Sequence, residues 1–149
     1  MELHERRLEH LSGLKCRIFT GMLQSQRSAK QAMVISFEGE YGIGSGGNND
    51  ARFMKPMTVA ALQAWHVSAL IFDLRQMRYE WGDALASVFN VRGDRFKQPG
   101  FAVVVASDQN RAAIEGLLHF AGMESADWLV SSLEDAVQMI EDRLTNAHL

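Results

Sequence analysis

Apolar and polar residues alternate in the N-terminal part of the chain in the way that half-exposed β-strands require. The alternation is clearest in Ala32–Tyr41, with the sequence AMVISFEGEY, and Lys15–Leu23 is also typical of a strand. A polar turn, Gln24–Lys30, separates the two segments. Since two neighbouring strands joined by a short polar turn tend to pair, the pattern predicts a β-hairpin.

Further along the chain, continuous apolar runs predict strands that are buried on both faces of a sheet. The longest runs are Val67–Leu74 and Phe101–Ala106, and a brief run at Trp128–Val130 predicts a last strand. A charged connector, Arg92–Gly100, precedes the second of these runs.

Between the strands, apolar residues recur at intervals of three and four, which predicts helices. The predicted helices are Thr58–Trp65 with Pro56 in its first turn, Gly82–Asn90, Gln109–Ala121, a last helix from Leu133 to Leu144, and a short N-terminal helix over Glu2–Leu11. Gly122 is placed to end the third of these helices, and Ser132 is placed to cap the last one.

From Ala32 onward, strands and helices alternate four times. This order predicts an α/β fold with a mixed, mostly parallel sheet and packed helices. A chain of 149 residues suits one core. We therefore expect a single domain over 1–149, in which the extension 1–31 adds a helix and a hairpin strand.

The composition narrows the function classes. The net charge is −3 and the pI is about 5.9, with no basic stripe, so we expect no nucleic-acid binding. Cys16 is the only cysteine, which excludes an internal disulfide and favours a buried, inert thiol. The charged N-terminus does not fit a signal peptide, and no run approaches the roughly 18 apolar residues of a membrane span. We expect a cytoplasmic protein without membrane insertion.

The segment Gly42–Asp50, with the sequence GIGSGGNND, predicts a flexible loop. Backbone amides of such a loop can also hold a phosphate or another oxyanion. The residues of this candidate ligand loop are Gly44, Ser45, Gly46, Gly47 and Asn48. The segment lacks the GK[ST] ending of a phosphate-binding loop.

The segment Ala69–Phe89 runs from an apolar strand through a polar connector into a helix. Asp73, Glu80 and Asp83 lie around the end of the strand, where paired carboxylates can divide acid and base roles. A local turn capped by Asp73 is the simpler interpretation. The five histidines show no metal-ligand spacing, so we predict neither a metal nor a cofactor.

The connector after the strand also carries aromatic and charged side chains, which are common in protein interfaces. Tyr79, Glu80 and Trp81 are predicted to be exposed there, with Arg78 and Asp83 beside them. These five residues form the predicted partner-binding surface.

Three stretches resemble the STAS family, the domain of sulfate transporters and bacterial anti-sigma factor antagonists. AMVISFEGEY, ending on Gly39–Glu40, resembles the opening strand of the family, and Asp73–Leu74 stands in the place of its Asp-Leu pair. The stretch from Gly100 to Ile140 resembles its closing unit, so that the resemblance covers about Met33–Arg143. It implies a STAS-like fold and a regulatory protein partner, such as a kinase or a sigma-regulator.

The chain departs from the family at the turn that follows the central strand. Antagonists of the family carry a phosphorylated Ser or Thr there, whereas this chain has Trp81-Gly82-Asp83-Ala84 without a hydroxyl. Asp83 supplies one negative charge, less than a phosphate does. The phosphorylation switch is therefore not carried over.

The leading hypothesis is a non-enzymatic domain that binds a protein, either as a regulator or as an immunity protein that neutralises a toxin. The alternative is a small-ligand-binding or enzymatic α/β protein that uses the loop Gly42–Asn49 and the Asp73/Asp83 end of the sheet. A third hypothesis is a homodimer formed through the Glu2–Leu11 helix, which is too short to be stable alone.

Overall fold

A computed structural model describes residues 1–24, 29–90 and 102–146. In these residues the strands are β1 (Lys15–Leu23), β2 (Lys30–Glu40), β3 (Ala69–Asp73), β4 (Met77–Arg78), β5 (Ala102–Val105) and β6 (Leu129–Val130). The helices are α1 (Asn48–Ala64), α2 (Leu85–Phe89), α3 (Arg111–Phe120), α4 (Ser125–Trp128) and α5 (Leu133–Asn146). Two 3-10 segments, Leu8–His10 and Gly44–Gly47, complete the regular structure of the described part.

The strands form one mixed sheet in the order β1-β2-β3-β5-β6, with β4 paired to the end of β2. The predicted hairpin is confirmed, because β1 and β2 are antiparallel, with Lys15 opposite Glu38 and Leu23 opposite Lys30. The other pairings are parallel. The mostly parallel α/β fold that the alternation of elements predicts is therefore present.

The central strand β3 is buried on both faces, as its continuous apolar run predicts. Leu70 and Phe72 point to a core that also contains apolar side chains of α1, α2 and α3. Ala69 and Ile71 point to the opposite side, where α5 covers the sheet. Since successive side chains of a strand alternate between faces, β3 holds both helical layers together.

A buried asparagine fixes the chain where it leaves β3. The Nδ2 of Asn110 donates hydrogen bonds to the carbonyls of Leu74 (2.8 Å) and Met77 (2.9 Å). Its Oδ1 accepts one from the backbone N–H of Ser107 (2.8 Å). The connector after β3 is thereby bound to the start of α3, which fixes the position of the residues that follow β3.

The glycine-rich segment has regular secondary structure where the sequence predicts a loop over Gly42–Asp50. Gly44–Gly47 is a 3-10 turn, and α1 begins directly after it at Asn48, so that Pro56 lies in the helix interior. The buried carboxylate of Asp50 stabilises this start, because it accepts hydrogen bonds from the Gly42 N–H (2.8 Å) and the Ser12 hydroxyl (2.5 Å).

The N-terminal helix predicted over Glu2–Leu11 is wrong, since only Leu8–His10 forms a 3-10 turn. Residues 2–7 are exposed, and a helix of this length needs tertiary packing to be stable. The homodimer hypothesis was based on this helix and therefore has no structural support from it.

The connector Arg92–Gly100 and most of the turn Gln24–Lys30 lie outside the described residues. No helix of residues 1–24, 29–90 and 102–146 has the length and apolar character of a membrane span.

Candidate functional site

Two segments that the sequence assigns to different hypotheses lie side by side at one edge of the sheet. The Tyr41 N–H donates a hydrogen bond to the Arg78 carbonyl (2.9 Å), next to the short pairing of β2 with β4. Further out, the Gly44 N–H donates one to the Trp81 carbonyl (3.0 Å). The candidate ligand loop and the predicted partner-binding surface therefore form one continuous structure.

Tyr79 is buried beneath this surface and is not exposed on it. Its side chain is only 3% exposed, which corrects the prediction that the whole connector faces solvent. The hydroxyl donates to the Gly82 carbonyl (2.8 Å), and the ring meets that of Tyr41 edge to face at 5.3 Å. Burial, reinforced by the charge of Asp83, raises the pKa of Tyr79 to about 12.

Trp81 and Ile43 are large, exposed apolar residues on the two adjoining segments, and we call them together the Ile43/Trp81 patch. The Trp81 side chain is 62% exposed and Ile43, the residue before Gly44, is 54% exposed. One edge of the Trp81 indole lies against Gly44, so closely that a Cβ on Gly44 would be 2.6 Å from the ring. The sequence analysis did not predict Ile43 as a surface residue. The pattern that could have indicated it is a large apolar residue between two glycines.

Three charged side chains lie beside Ile43 in this patch. The Arg78 guanidinium lies 3.6 Å from a Glu40 carboxylate oxygen and 3.5 Å from one of Glu80, and all three side chains are exposed. They line a groove of about 500 Å³ together with Ile43. Exposed ion pairs contribute little to stability, and charged rims of this kind act mainly on specificity and association rate.

The two carboxylates of the catalytic alternative are in different environments. Asp73 is buried and accepts two hydrogen bonds from the Arg75 guanidinium, both at 2.9 Å. It also accepts the Arg75 N–H at 3.2 Å, as the local-turn interpretation predicts. Asp83 is exposed. Since Asp73 already has an ionic partner, this geometry gives acid–base catalysis little support.

The glycine-rich segment uses its amides within the protein. The Gly42 N–H is bound by Asp50, the Gly44 N–H by the Trp81 carbonyl and the Gly46 N–H by the Ile43 carbonyl (3.0 Å). A Cβ on Gly47 would overlap the ring of Tyr41, so this glycine is required for packing. Ser45 and Asn48 are exposed. These contacts favour a structural role for the segment, in which it positions the Ile43/Trp81 patch, over a role in binding phosphate.

The thiol of Cys16 is half-buried against the larger core. Burial raises the pKa of the Cys16 thiol to about 11. A thiol with a raised pKa is a poor nucleophile at neutral pH because little thiolate forms. In the described ranges no three His, Cys, Asp or Glu side chains are grouped to hold a metal ion.

The comparisons with known proteins bear on the fold. No protein-family model matches the sequence, and no curated protein is similar to it. Among solved structures, the crystal structure of an anti-sigma factor antagonist from Mycobacterium paratuberculosis is similar, with a TM-score of 0.54 and 20% sequence identity. The match covers 85% of this chain and 96% of the other. The chain therefore has the fold of an anti-sigma factor antagonist, as the STAS resemblance implies.

Proposed function

We propose that this chain is a non-enzymatic, cytoplasmic regulatory domain that binds a protein partner through the Ile43/Trp81 patch and its charged rim. The fold it shares with an anti-sigma factor antagonist supports a regulatory role. The rim consists of Glu40, Arg78 and Glu80, which line the groove together with Ile43, and the exposed Asp83 belongs to the same proposed surface. The buried Tyr79 fixes the connector through the hydrogen bond from its hydroxyl to the Gly82 carbonyl.

The exposure of Trp81 is the observation that carries this proposal. A large indole that is 62% exposed leaves apolar surface in water, while burial of that surface in an interface is favourable. Tryptophan is also among the residues that most often dominate binding energies. Because backbone hydrogen bonds fix the segment that carries it, Trp81 is ordered before binding, which lowers the entropic cost of association.

The partner that fits the fold best is a kinase or another regulator of a sigma factor. Neutralisation of a toxin, with the chain as an immunity protein, is the second form of the same proposal. The turn after the connector has no hydroxyl, so its binding does not depend on phosphorylation there.

The experiment is an affinity capture of the tagged full chain from its native cells, followed by mass spectrometry. A parallel capture uses Trp81→Ala, and Trp65→Ala is the control because Trp65 is 48% exposed at the end of α1. We expect a stoichiometric protein that is lost with Trp81→Ala and retained with Trp65→Ala. Capture of no protein, or of one that both variants retain, contradicts the proposal.

A further inference from the structure

A second, larger groove lies between the N-terminal 3-10 segment and the helices α1 and α2. It has a volume of about 800 Å³ and is open to solvent. Its floor is apolar and is formed by Leu8, Leu11, Ala51, Pro56, Val59 and Ala84. An open apolar groove along two helices has the shape that amphipathic helices of partner proteins occupy.

The charged residues that line this groove in the described part of the chain have a single sign. Arg52 and Lys55 line it, are exposed, and lie three residues apart on one face of α1. None of the described residues that line it is a carboxylate, although the chain as a whole has a net charge of −3. In the described part of the chain, neither cation has an ion-pair partner. The groove therefore complements an anionic, apolar ligand.

Two residues that line the groove are close in the chain to the Ile43/Trp81 patch. Asn48 directly follows the Gly44–Gly47 turn against which the Trp81 indole packs. Ala84 is three residues after Trp81. A protein that covers Trp81 thus reaches the groove directly, which favours a protein segment over a separate small amphiphile.

We propose that the groove binds an amphipathic helix of the protein partner, with apolar residues on the floor and acidic residues facing Arg52 and Lys55. This inference rests on the proposed function and adds the chemistry of the partner to it.

The probe is a fluorescein-labelled designed peptide of about 18 residues, long enough to be helical when bound, with a leucine stripe flanked by glutamates. A second peptide has lysine in place of each glutamate. Fluorescence anisotropy measures the binding of both to the full chain, to the double variant Arg52→Glu/Lys55→Glu, and to Lys15→Glu/Lys30→Glu. The last is the control, because it makes the same change of charge on the exposed hairpin.

We expect saturable binding of the glutamate peptide, weakened by about tenfold or more in Arg52→Glu/Lys55→Glu and unchanged in the control. The lysine peptide should show the opposite preference. Equal binding of both peptides, equal binding to both double variants, or no saturable binding overturns the proposal. Binding of laurate without binding of the peptide also overturns it and assigns the groove to small anionic amphiphiles.

A final comparison separates this inference from the proposed function. If the captured partner depends on Trp81 but binds Arg52→Glu/Lys55→Glu as well as the wild type, the groove inference fails and the proposed function stands. If no partner depends on Trp81, the proposed function fails, whatever the peptides do.

Discussion

The indole of Trp81 lies against Gly44, a residue with left-handed backbone geometry (φ +57°), and a Cβ at Gly44 would be 2.6 Å from the ring. The Gly44 N–H also donates a hydrogen bond to the Trp81 carbonyl. Because Gly44 has no side chain, the exposed ring of Trp81 can lie directly against its backbone. In this account, the glycine-rich segment acts on a partner indirectly, through the position of Trp81.

The substitution Gly44→Ala tests this relationship. We expect it to displace the indole and to weaken partner binding. It should also lower the free energy of unfolding by about 1–3 kcal/mol, because alanine is strained in left-handed geometry. Gly46→Ala is the matched control, since a Cβ at Gly46 meets open space. Titration of the partner and urea unfolding measure the two effects, and similar behaviour of the two variants would argue against a packing role for Gly44.

Asn110 should be among the most important polar residues for stability. Asn110→Ala leaves the carbonyls of Leu74 and Met77 without their side-chain donor in a buried position, where Asn110 is 1% exposed. We expect a loss of about 1–3 kcal/mol in the free energy of unfolding, because the Met77 carbonyl loses its side-chain donor, whereas the Leu74 carbonyl keeps the hydrogen bond from the Met77 N–H (3.1 Å). Gln109→Ala, on the exposed neighbour, should cost less than about 0.5 kcal/mol. Equal unfolding midpoints for the two variants would refute this role.

The raised pKa of Cys16 predicts a specific pH dependence of stability. Above pH 9 the thiol of the unfolded chain loses its proton, whereas the folded chain keeps it until about pH 11. The unfolded state therefore binds fewer protons, and the free energy of unfolding falls as the pH rises between these values. Cys16→Ala should reduce this fall, while the contribution of Tyr79 at higher pH stays the same in both proteins. Urea unfolding on either side of pH 9 makes the comparison, and parallel pH profiles would contradict it.

The elements that the sequence predicts well are those whose signals are local. Continuous apolar runs identify β3 and β5, and helical spacing with a stop at Gly122 identifies α3. The cap of α5 is also local, and the Asp135 N–H donates to the Ser132 hydroxyl at 3.0 Å, as predicted. The start of α1 was misplaced because glycines and Pro56 normally interrupt helices, while its stabilising contact joins Asp50 to Ser12, 38 residues away.

In the candidate site, too, the features set by neighbouring residues can be predicted from the sequence, and those set by residues distant in the chain cannot. The exposure of Trp81 agrees with the polar connector in which it lies. The burial of Tyr79 cannot be predicted locally because it depends on the ring of Tyr41, from which α1 and β3 separate it in the chain. The pairing of β4 with β2 was missed as well, since two residues are too few to show an alternating pattern.

The most direct test of the central claim is the dissociation constant of the purified partner for the wild type, Trp81→Ala and Trp65→Ala, measured by calorimetry. Both tryptophans are exposed, so each variant should keep its fold and its unfolding midpoint. We expect Trp81→Ala to weaken binding by about 2 kcal/mol or more, which is about 30-fold, and Trp65→Ala to leave it unchanged. Equal dissociation constants for the wild type and Trp81→Ala would contradict the account.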